Sequence, residues 1–261
     1  MAIIPKFFFD AVVAIGINGS NSWIGTGFLV GRKEKDSNQY TIYYVTNHHL
    51  LENKKKLILR FNKKDTPEFV DYEIILTEAN KLKYSKHPNA DVIAIQISPG
   101  VLKSNNSEFN WFSLDKHALN ISNMKRSDVI EGSIVYSLGF PINMVGENKK
   151  TPICRLGCIS RISNLFDNTS ENEYLIDLQA LPGFSGAPVI NRPENVSIEG
   201  TPCNDSANLI GIINGTIDYS EKNDENSTEE HEKNSGFAIV HTVDTIEQVV
   251  EQEYIRNGGI L

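Results

Sequence analysis

Short β-branched and aromatic runs, each closed off by Gly, Asn, Asp or Ser, punctuate the chain so regularly that few folds can accommodate it. The first series comprises AVVAIGI (11–17), GTGFLVG (25–31), YTIYYVT (40–46), KLILRF (56–61), YEIIL (72–76) and DVIAIQI (91–97). The second comprises SIVYSLGF (133–140), ICRLGCISRI (153–162), EYLIDLQA (173–180), APVI (187–190), NLIGIING (208–215) and GFAIV (236–240). Many short strands without alternating helical patterns predict an all-β protein of sandwiches or barrels. Runs that are apolar throughout, such as DVIAIQI, suit closed barrels with both faces covered. A polar stretch at 99–130 separates the series, placing one domain over 1–115 and a second over 116–261.

Two segments depart from this pattern. Asp244 with Glu247 three residues on forms a capping-box pattern, and Ile246, Val249, Val250 and Tyr254 follow at helical spacing before Gly258. These signals predict a C-terminal α-helix over 244–257 whose stripe packs on the core. The segment DYSEKNDENSTEEHEKNS (218–235) holds many acids and almost no apolar residues. It is expected to be a disordered acidic insert between two strands of the second series.

Composition narrows the function. A net charge of −8 argues against nucleic acid or anionic lipid as a partner. Lys54-Lys55-Lys56 reads as a solvated turn leading into a strand. There is no apolar run of membrane-spanning length. Pro5, Lys6 and Asp10 interrupt the apolar N-terminus, which is read as a lead-in and first strand instead of a secretion signal. The cysteines, Cys154, Cys158 and Cys203, are three, too few and odd in number for a disulfide framework, so a reducing cytoplasm is expected.

The stretch LPGFSGAPVIN (181–191) places Ser185 between Gly183 and Gly186. It reads either as a nucleophile on a strained turn or as a Gly/Pro-rich loop that contains a serine. A nucleophile needs a base, an orienting acid and an oxyanion site. Of the six histidines, His48 and His49 lie where the apolar strand YYVT ends, a position from which a barrel delivers side chains into a cleft. Asp91 opens the apolar run DVIAIQI, so its carboxylate is expected to be partly buried and paired. An imidazole N–H is one such partner, and backbone amides of a turn are another. A metal site at His48-His49 lacks further ligands at suitable spacing, and adjacent strand residues face opposite sides. No metal or cofactor is expected.

Taken together, TGFLV (26–30), VTNHHL (45–50), DVIAI (91–95), YSLGFP (136–141), PGFSGAPV (182–189), LIGI (209–212) and GFAI (236–239) resemble, in order and spacing, the chymotrypsin-like serine proteases. Within that family the chain is most similar to the bacterial HtrA branch and its stand-alone relatives without a PDZ region. The resemblance implies two six-stranded antiparallel β-barrels with the site between them. It implies a catalytic triad of His49, Asp91 and Ser185, with the N–H groups of Gly183 and Ser185 as the oxyanion hole. It places the S1 pocket at Gln179 and Ala180, with walls at Ile213-Asn214-Gly215 and from Gly236 onward. No fixed charge stands at the floor position, so hydrophobic or small polar P1 residues are expected. The implied activity is a serine endopeptidase acting on protein or peptide substrates.

Two positions depart from the family pattern. Phe184 stands where many trypsin-like enzymes carry the acid that pairs with a cleaved N-terminus, so that activation route is not expected, and regulation by a protein partner or by substrate binding takes its place. Ala187 replaces a second glycine. Two rival readings fit less well. An α/β-hydrolase with Ser185, Asp218 and His241 requires a helix after the nucleophile, yet PVIN reads as a strand. The same barrels could also serve as a catalytically silent peptide-binding module.

Overall fold

The computed structural model describes residues 4–17, 22–167, 171–194, 204–222 and 230–259. After a short helix α1 (Lys6–Ala11), the first half carries β1 (Val12–Gly16), β2 (Trp23–Lys33), β3 (Tyr40–Thr46), β4 (Lys56–Lys63) and β5 (Phe69–Ile75). The short strands β6 (Thr77–Glu78), β7 (Lys81–Leu82) and β8 (Ser85–Lys86) precede β9 (Ile93–Ile97). Helix α2 (Pro99–Ser104), β10 (Ser107–Glu108), β11 (Phe112–Ser113) and helix α3 (Ile121–Arg126) lead to the second half. There β12 (Ile134–Gly139), β13 (Ile153–Arg161), helix α4 (Ser163–Asp167), β14 (Glu173–Asp177), β15 (Pro188–Asn191), β16 (Leu209–Lys222) and β17 (Glu230–Thr242) follow, and helix α5 (Val243–Arg256) ends the fold.

The second half closes into a barrel in the order β12-β13-β14-β17-β16-β15, six strands that coincide with the six runs of the second series. The first half is a nine-stranded sheet with the path β10-β4-β1-β2-β3-β9-β8, to which β5 adds beside β4 and β11 beside β2. All six runs of the first series are strands here too, though this ladder stays open among the described residues. The architecture is the all-β double barrel that the resemblance implies, except that the first half is a half-barrel sheet of nine strands where six are expected, the short β8, β10 and β11 adding to it.

Strand periodicity explains the fully apolar runs. On β1, Val13 and Ile15 join a core with Leu29, Ile42, Tyr44, Leu57, Leu59, Ile93 and Ile95. Their neighbours Val12 and Ala14 face the opposite way, into a second core with Phe28, Val30, Tyr43, Val45 and Ala94. That second core continues across the seam to Leu138, Phe140, Ile190, Leu209 and Ile212 of the second half. Helix α5 seals it with Val243, Ile246, Val249 and Val250, all fully buried.

Two expectations need correction. The N-cap position of helix α5 is Thr242, and Asp244 is the second residue of the helix. The Asp244 carboxylate instead accepts the Ile121 N–H at 2.9 Å, at the start of α3. Residues 218–222 and 230–235 are not a disordered insert: they extend β16 and β17 as a paired ladder, from Asp218↔Asn234 out to Lys222↔Glu230. Once the barrel has aligned these two strands, each further pair satisfies backbone N–H and C=O groups whatever the side-chain polarity. Composition reports apolar burial and is blind to that gain. Residues 223–229 and Cys203 lie outside the described residues, while Cys154 and Cys158 are free thiols.

Because α5 roofs the seam, truncating its buried face should unfold the protein more easily. Ile246→Ala is expected to lower the unfolding free energy by about 2–5 kcal/mol in urea titration; a loss below about 0.5 kcal/mol would mean that α5 contributes little to the seam.

Candidate active site

The site begins where β3 ends. Thr46 is the last residue of β3, and His49 opens a short 3₁₀ turn, His49–Leu51. The Asp91 segment approaches this turn from the start of β9. Its carbonyl accepts the His48 N–H at 3.3 Å and the Asn47 side-chain amide at 2.9 Å. Its carboxylate takes the His49 N–H at 3.0 Å on one oxygen and the His49 ring Nδ1 on the other. With Nδ1 engaged by the carboxylate, Nε2 is the ring nitrogen left without a partner among the described residues. Burial would raise the Asp91 carboxyl, but the ring and backbone N–H of His49 outweigh it and hold the carboxyl below its ordinary range. The pair is half-open to the cleft, with side chains 42% and 25% exposed for His49 and Asp91.

Ser185 reaches the same cleft from the second barrel, and Thr26 of β2 holds it there. The Thr26 N–H donates to the Ser185 carbonyl at 3.0 Å, and the Thr46 hydroxyl donates to the Thr26 carbonyl at 2.7 Å. Gly186 lies directly on this contact: a Cβ there would strike the Thr26 carbonyl and the Thr46 hydroxyl. The Ser185 loop and the end of β3, three residues before His49, are thus in van der Waals contact. No hydrogen bond joins the Ser185 hydroxyl to the His49 ring among the described residues.

Backbone accounting over the loop is informative. The Gly183–Phe184 peptide gives its carbonyl to the Thr26 hydroxyl at 2.7 Å and its N–H to Leu181 at 3.0 Å. The Ser185–Gly186 peptide gives its carbonyl to Thr26 and its N–H to Ile213 at 2.9 Å. The Pro182–Gly183 carbonyl accepts the Ile142 N–H at 2.7 Å, and the Phe184–Ser185 carbonyl accepts the Ala187 N–H at 2.9 Å. Two donors are left over: the N–H groups of Gly183 and Ser185 make no hydrogen bond among the described residues. These are the two expected to bind an oxyanion. The turn demands glycine, since Gly183 and Gly186 take φ of 100° and 82°. Phe184 is fully buried in the second barrel's core and anchors the loop by packing.

Beside Ser185 opens a cavity of about 380 Å³. Four of the expected S1 residues line it: Gln179, Ala180, Ile213 and Gly215. Asn214 and Gly236 do not. A bulge between Ile213 and Gly215 leaves Asn214 out of the ladder, and the Asn234 side chain covers the Gly236 side, donating to Ala180 O at 3.0 Å and accepting Gly236 N–H at 2.7 Å. Thr216 and Asp218, outside the expected set, complete the rim, with the Thr216 hydroxyl donating to the Asp218 carboxylate at 3.0 Å.

The other histidines with described side chains are structural. His87 pairs with Gln248 at 2.8 Å. His117 accepts the Ser113 N–H and stacks near Phe7 and Phe8. His48 lies 3.5 Å from Glu52. His241 is fully buried behind the acid, where its Nε2 accepts the Asp91 N–H at 3.3 Å. That excludes the Ser185/Asp218/His241 grouping, because His241 backs Asp91 and the chain continues after Ser185 into strand β15 and not into a helix.

A profile of the trypsin-like peptidase domain family matches residues 25–196. The fold is similar to the MamO protease domain of Magnetospirillum magneticum, with TM-score 0.51 at 13% identity over 93% of this chain and 97% of that one. It is equally similar to AlgW, an HtrA-type protease solved with a decapeptide, with TM-score 0.51 at 16% identity over 97% of this chain and 67% of that one. No curated protein matches the chain.

The His241 contact gives the acid's anchor a pH dependence. Burial lowers the His241 pKa from 6.5 to about 4, partly offset by Asp91. The unfolded chain therefore binds the extra proton first, so this contribution is present above pH 6.5 and is lost as pH falls towards 4. Glu247, pushed up to about 7 by burial beside Asp244 and Glu251, acts in the opposite direction, losing stability as pH rises. The informative quantity is the difference between the native protein and His241→Gln. Their gap in unfolding free energy should widen by on the order of 3 kcal/mol between pH 4 and 7; a gap independent of pH would refute the assignment.

Proposed function

Since the chain belongs to the trypsin-like peptidase domain family, we propose that it is a serine endopeptidase acting through His49, Asp91 and Ser185. The observation that carries this reading is the hydrogen-bond pattern at 182–187, which leaves the N–H groups of Gly183 and Ser185 unpaired among the described residues, on a loop tied through Thr26 and Thr46 to the strand that leads to the Asp-held His49. In this mechanism the Ser185 oxygen attacks the scissile carbonyl as His49 Nε2 takes its proton. The carbonyl oxygen becomes an oxyanion held by the Gly183 and Ser185 N–H groups, each donor being worth about 2.7–4 kcal/mol in such sites. Asp91, held ionised, stabilises the imidazolium. His49 then hands the proton to the leaving amine, and water releases the acyl group by the reverse sequence.

We further infer a peptide substrate whose P1 side chain enters the 380 Å³ cavity lined by Ala180 and Ile213, with Gln179 and Asn234 as polar contacts. Asp218 at the rim disfavours acidic P1 residues. Activation without N-terminal cleavage is supported by Phe184, whose place among apolar core residues leaves no ion pair to form. Regulation by a protein partner or by substrate binding, and a cytoplasmic location, belong to the same proposal. No helix among the described residues is long and apolar enough to cross a membrane.

A second reading has one observation behind it. The Ser185 hydroxyl stands unbonded to His49, as it would in a silent peptide-binding module. Catalytic hydrogen bonds in empty sites are often long, so the geometry fits either reading. Labelling separates them. A fluorophosphonate probe should modify Ser185, and both labelling and peptide hydrolysis should vanish in Ser185→Ala at unchanged thermal midpoint. Peptide binding with neither labelling nor hydrolysis, under all activating conditions tried, would favour the module.

A further inference from the structure

The stretch Pro141–Met144 packs on the nucleophile loop, and the triad makes no use of it. Ile142 adopts φ 48° and Asn143 φ 62°. Left-handed backbone is rare for a β-branched residue, because its Cβ crowds the following carbonyl. Ile142 takes this conformation without burying its side chain, which is 60% exposed. Neither apolar burial nor intrinsic preference accounts for it. The conformation closes the turn 141–144, where the Met144 N–H donates to the Pro141 carbonyl at 2.8 Å, and that turn carries a second main-chain contact, the Ile142 N–H donated to the Pro182 carbonyl at 2.7 Å. We propose that Ile142, through this N–H, is the positioning residue that sets the Pro182–Gly183 peptide and thereby aims the Gly183 N–H into the cleft. The effect on turnover rests on the serine-peptidase reading; the effect on peptide orientation does not.

The geometry is simple. The chain contains no cis peptide bond among the described residues, and in a trans unit the C=O and N–H point in opposite directions. With the Pro182 oxygen drawn towards Ile142, the Gly183 N–H is turned away from the 140–144 loop. Phe140 and Pro141 backbone atoms lie against the Gly183 Cα on the loop side. Glycine itself imposes little preference, so the unit is free to turn over unless something holds the carbonyl. Among the described residues no other donor reaches it. The loop in turn is tied to the first half. Asn143 Oδ1 accepts the Trp23 N–H at 2.7 Å. Lys150 is buried, with its ammonium on the Val12 carbonyl at 2.6 Å and its backbone paired with the Asn62 side chain at 2.7 and 3.0 Å. Residues 141–151 thus form a strap from β1, β2 and β4 to one peptide of the oxyanion site.

Two substitutions test the proposal. Ile142→Pro removes the N–H and cannot hold positive φ, whereas Ile142→Gly keeps the N–H and relaxes the backbone. Crystal structures of both are expected to show the Pro182 carbonyl turned into the cleft in Ile142→Pro and unmoved in Ile142→Gly. In kinetics with a peptide amide, Ile142→Pro should lose about 100-fold in kcat with KM within about threefold, the mark of a donor used in the transition state. Ile142→Gly should stay within about threefold of native in both. An unmoved Pro182 carbonyl in Ile142→Pro would overturn the proposal. Should that variant fail to fold, hydrogen exchange in the native protein decides: the Ile142 amide should be protected by about 100-fold or more although its side chain is exposed, and an unprotected amide would overturn the clamp. A native protein that hydrolyses no peptide, yet shows the expected carbonyl orientations, would count against the peptidase reading while supporting the clamp.

Discussion

One residue of β2, Thr26, ties the two halves together at the site. Its N–H meets the Ser185 carbonyl, its carbonyl accepts the Thr46 hydroxyl, and its own hydroxyl accepts the Phe140 N–H while donating to the Gly183 carbonyl. The residue is fully buried, so each of these groups would be left unsatisfied without its partner, at about 1–3 kcal/mol apiece. The bonds fix three separate segments: the end of β3 that leads to His49, the loop carrying Ser185, which is held at the Gly183 and Ser185 carbonyls, and the exit of β12. A serine and a histidine from different halves keep a common cleft because both are referred to the same threonine.

Around this hub the core supplies rigidity. The seam between the halves is filled by apolar side chains from β1, β2, β3, β12, β15 and α5, so the cleft cannot open without exposing that surface. The acid is secured separately. Asp91 receives bonds at its carbonyl from Asn47 and His48, gives its N–H to buried His241 on β17, and uses its carboxylate for His49. The first half therefore carries His49 and Asp91, while the second half supports Asp91 from behind through His241 as well as providing Ser185. Charge follows the same logic. The Asp91 carboxyl is partly buried yet held down by its histidine partner, whereas Glu247, which has no cationic partner among the described residues, is driven up by burial.

The strands were legible because they depend on periodicity, and the pairing of Asp91 with His49 was expected from the motifs that carry the family resemblance. All twelve apolar runs became strands, and the acid opening DVIAIQI sits against His49 through both carboxylate oxygens. What was not legible depends on long-range pairing. The continuation of β16 and β17 through 218–222 and 230–235 is a backbone effect that polar composition masks. Asp244 resembles a helix cap, but tertiary contact with Ile121 recruits its carboxylate and leaves Thr242 at the cap position. The bulge at Asn214 removes it from the expected S1 wall, and Asn234, distant in sequence, replaces Gly236 there. Thr26 and Ile142 carry no local signal: one is a small polar residue in a glycine-rich strand, the other an exposed isoleucine, and only the fold shows what their backbones hold.

The most direct measurement is a crystal structure of the protein after reaction with a peptidyl phosphonate, whose phosphoryl oxygen mimics the oxyanion. Phosphorus is expected to be bonded to the Ser185 oxygen, with that phosphoryl oxygen about 2.7–3.1 Å from the N–H groups of both Gly183 and Ser185. His49 should contact the adduct while still paired to Asp91. An adduct on another residue, or a phosphoryl oxygen turned to solvent with both amides unengaged, would contradict this assignment.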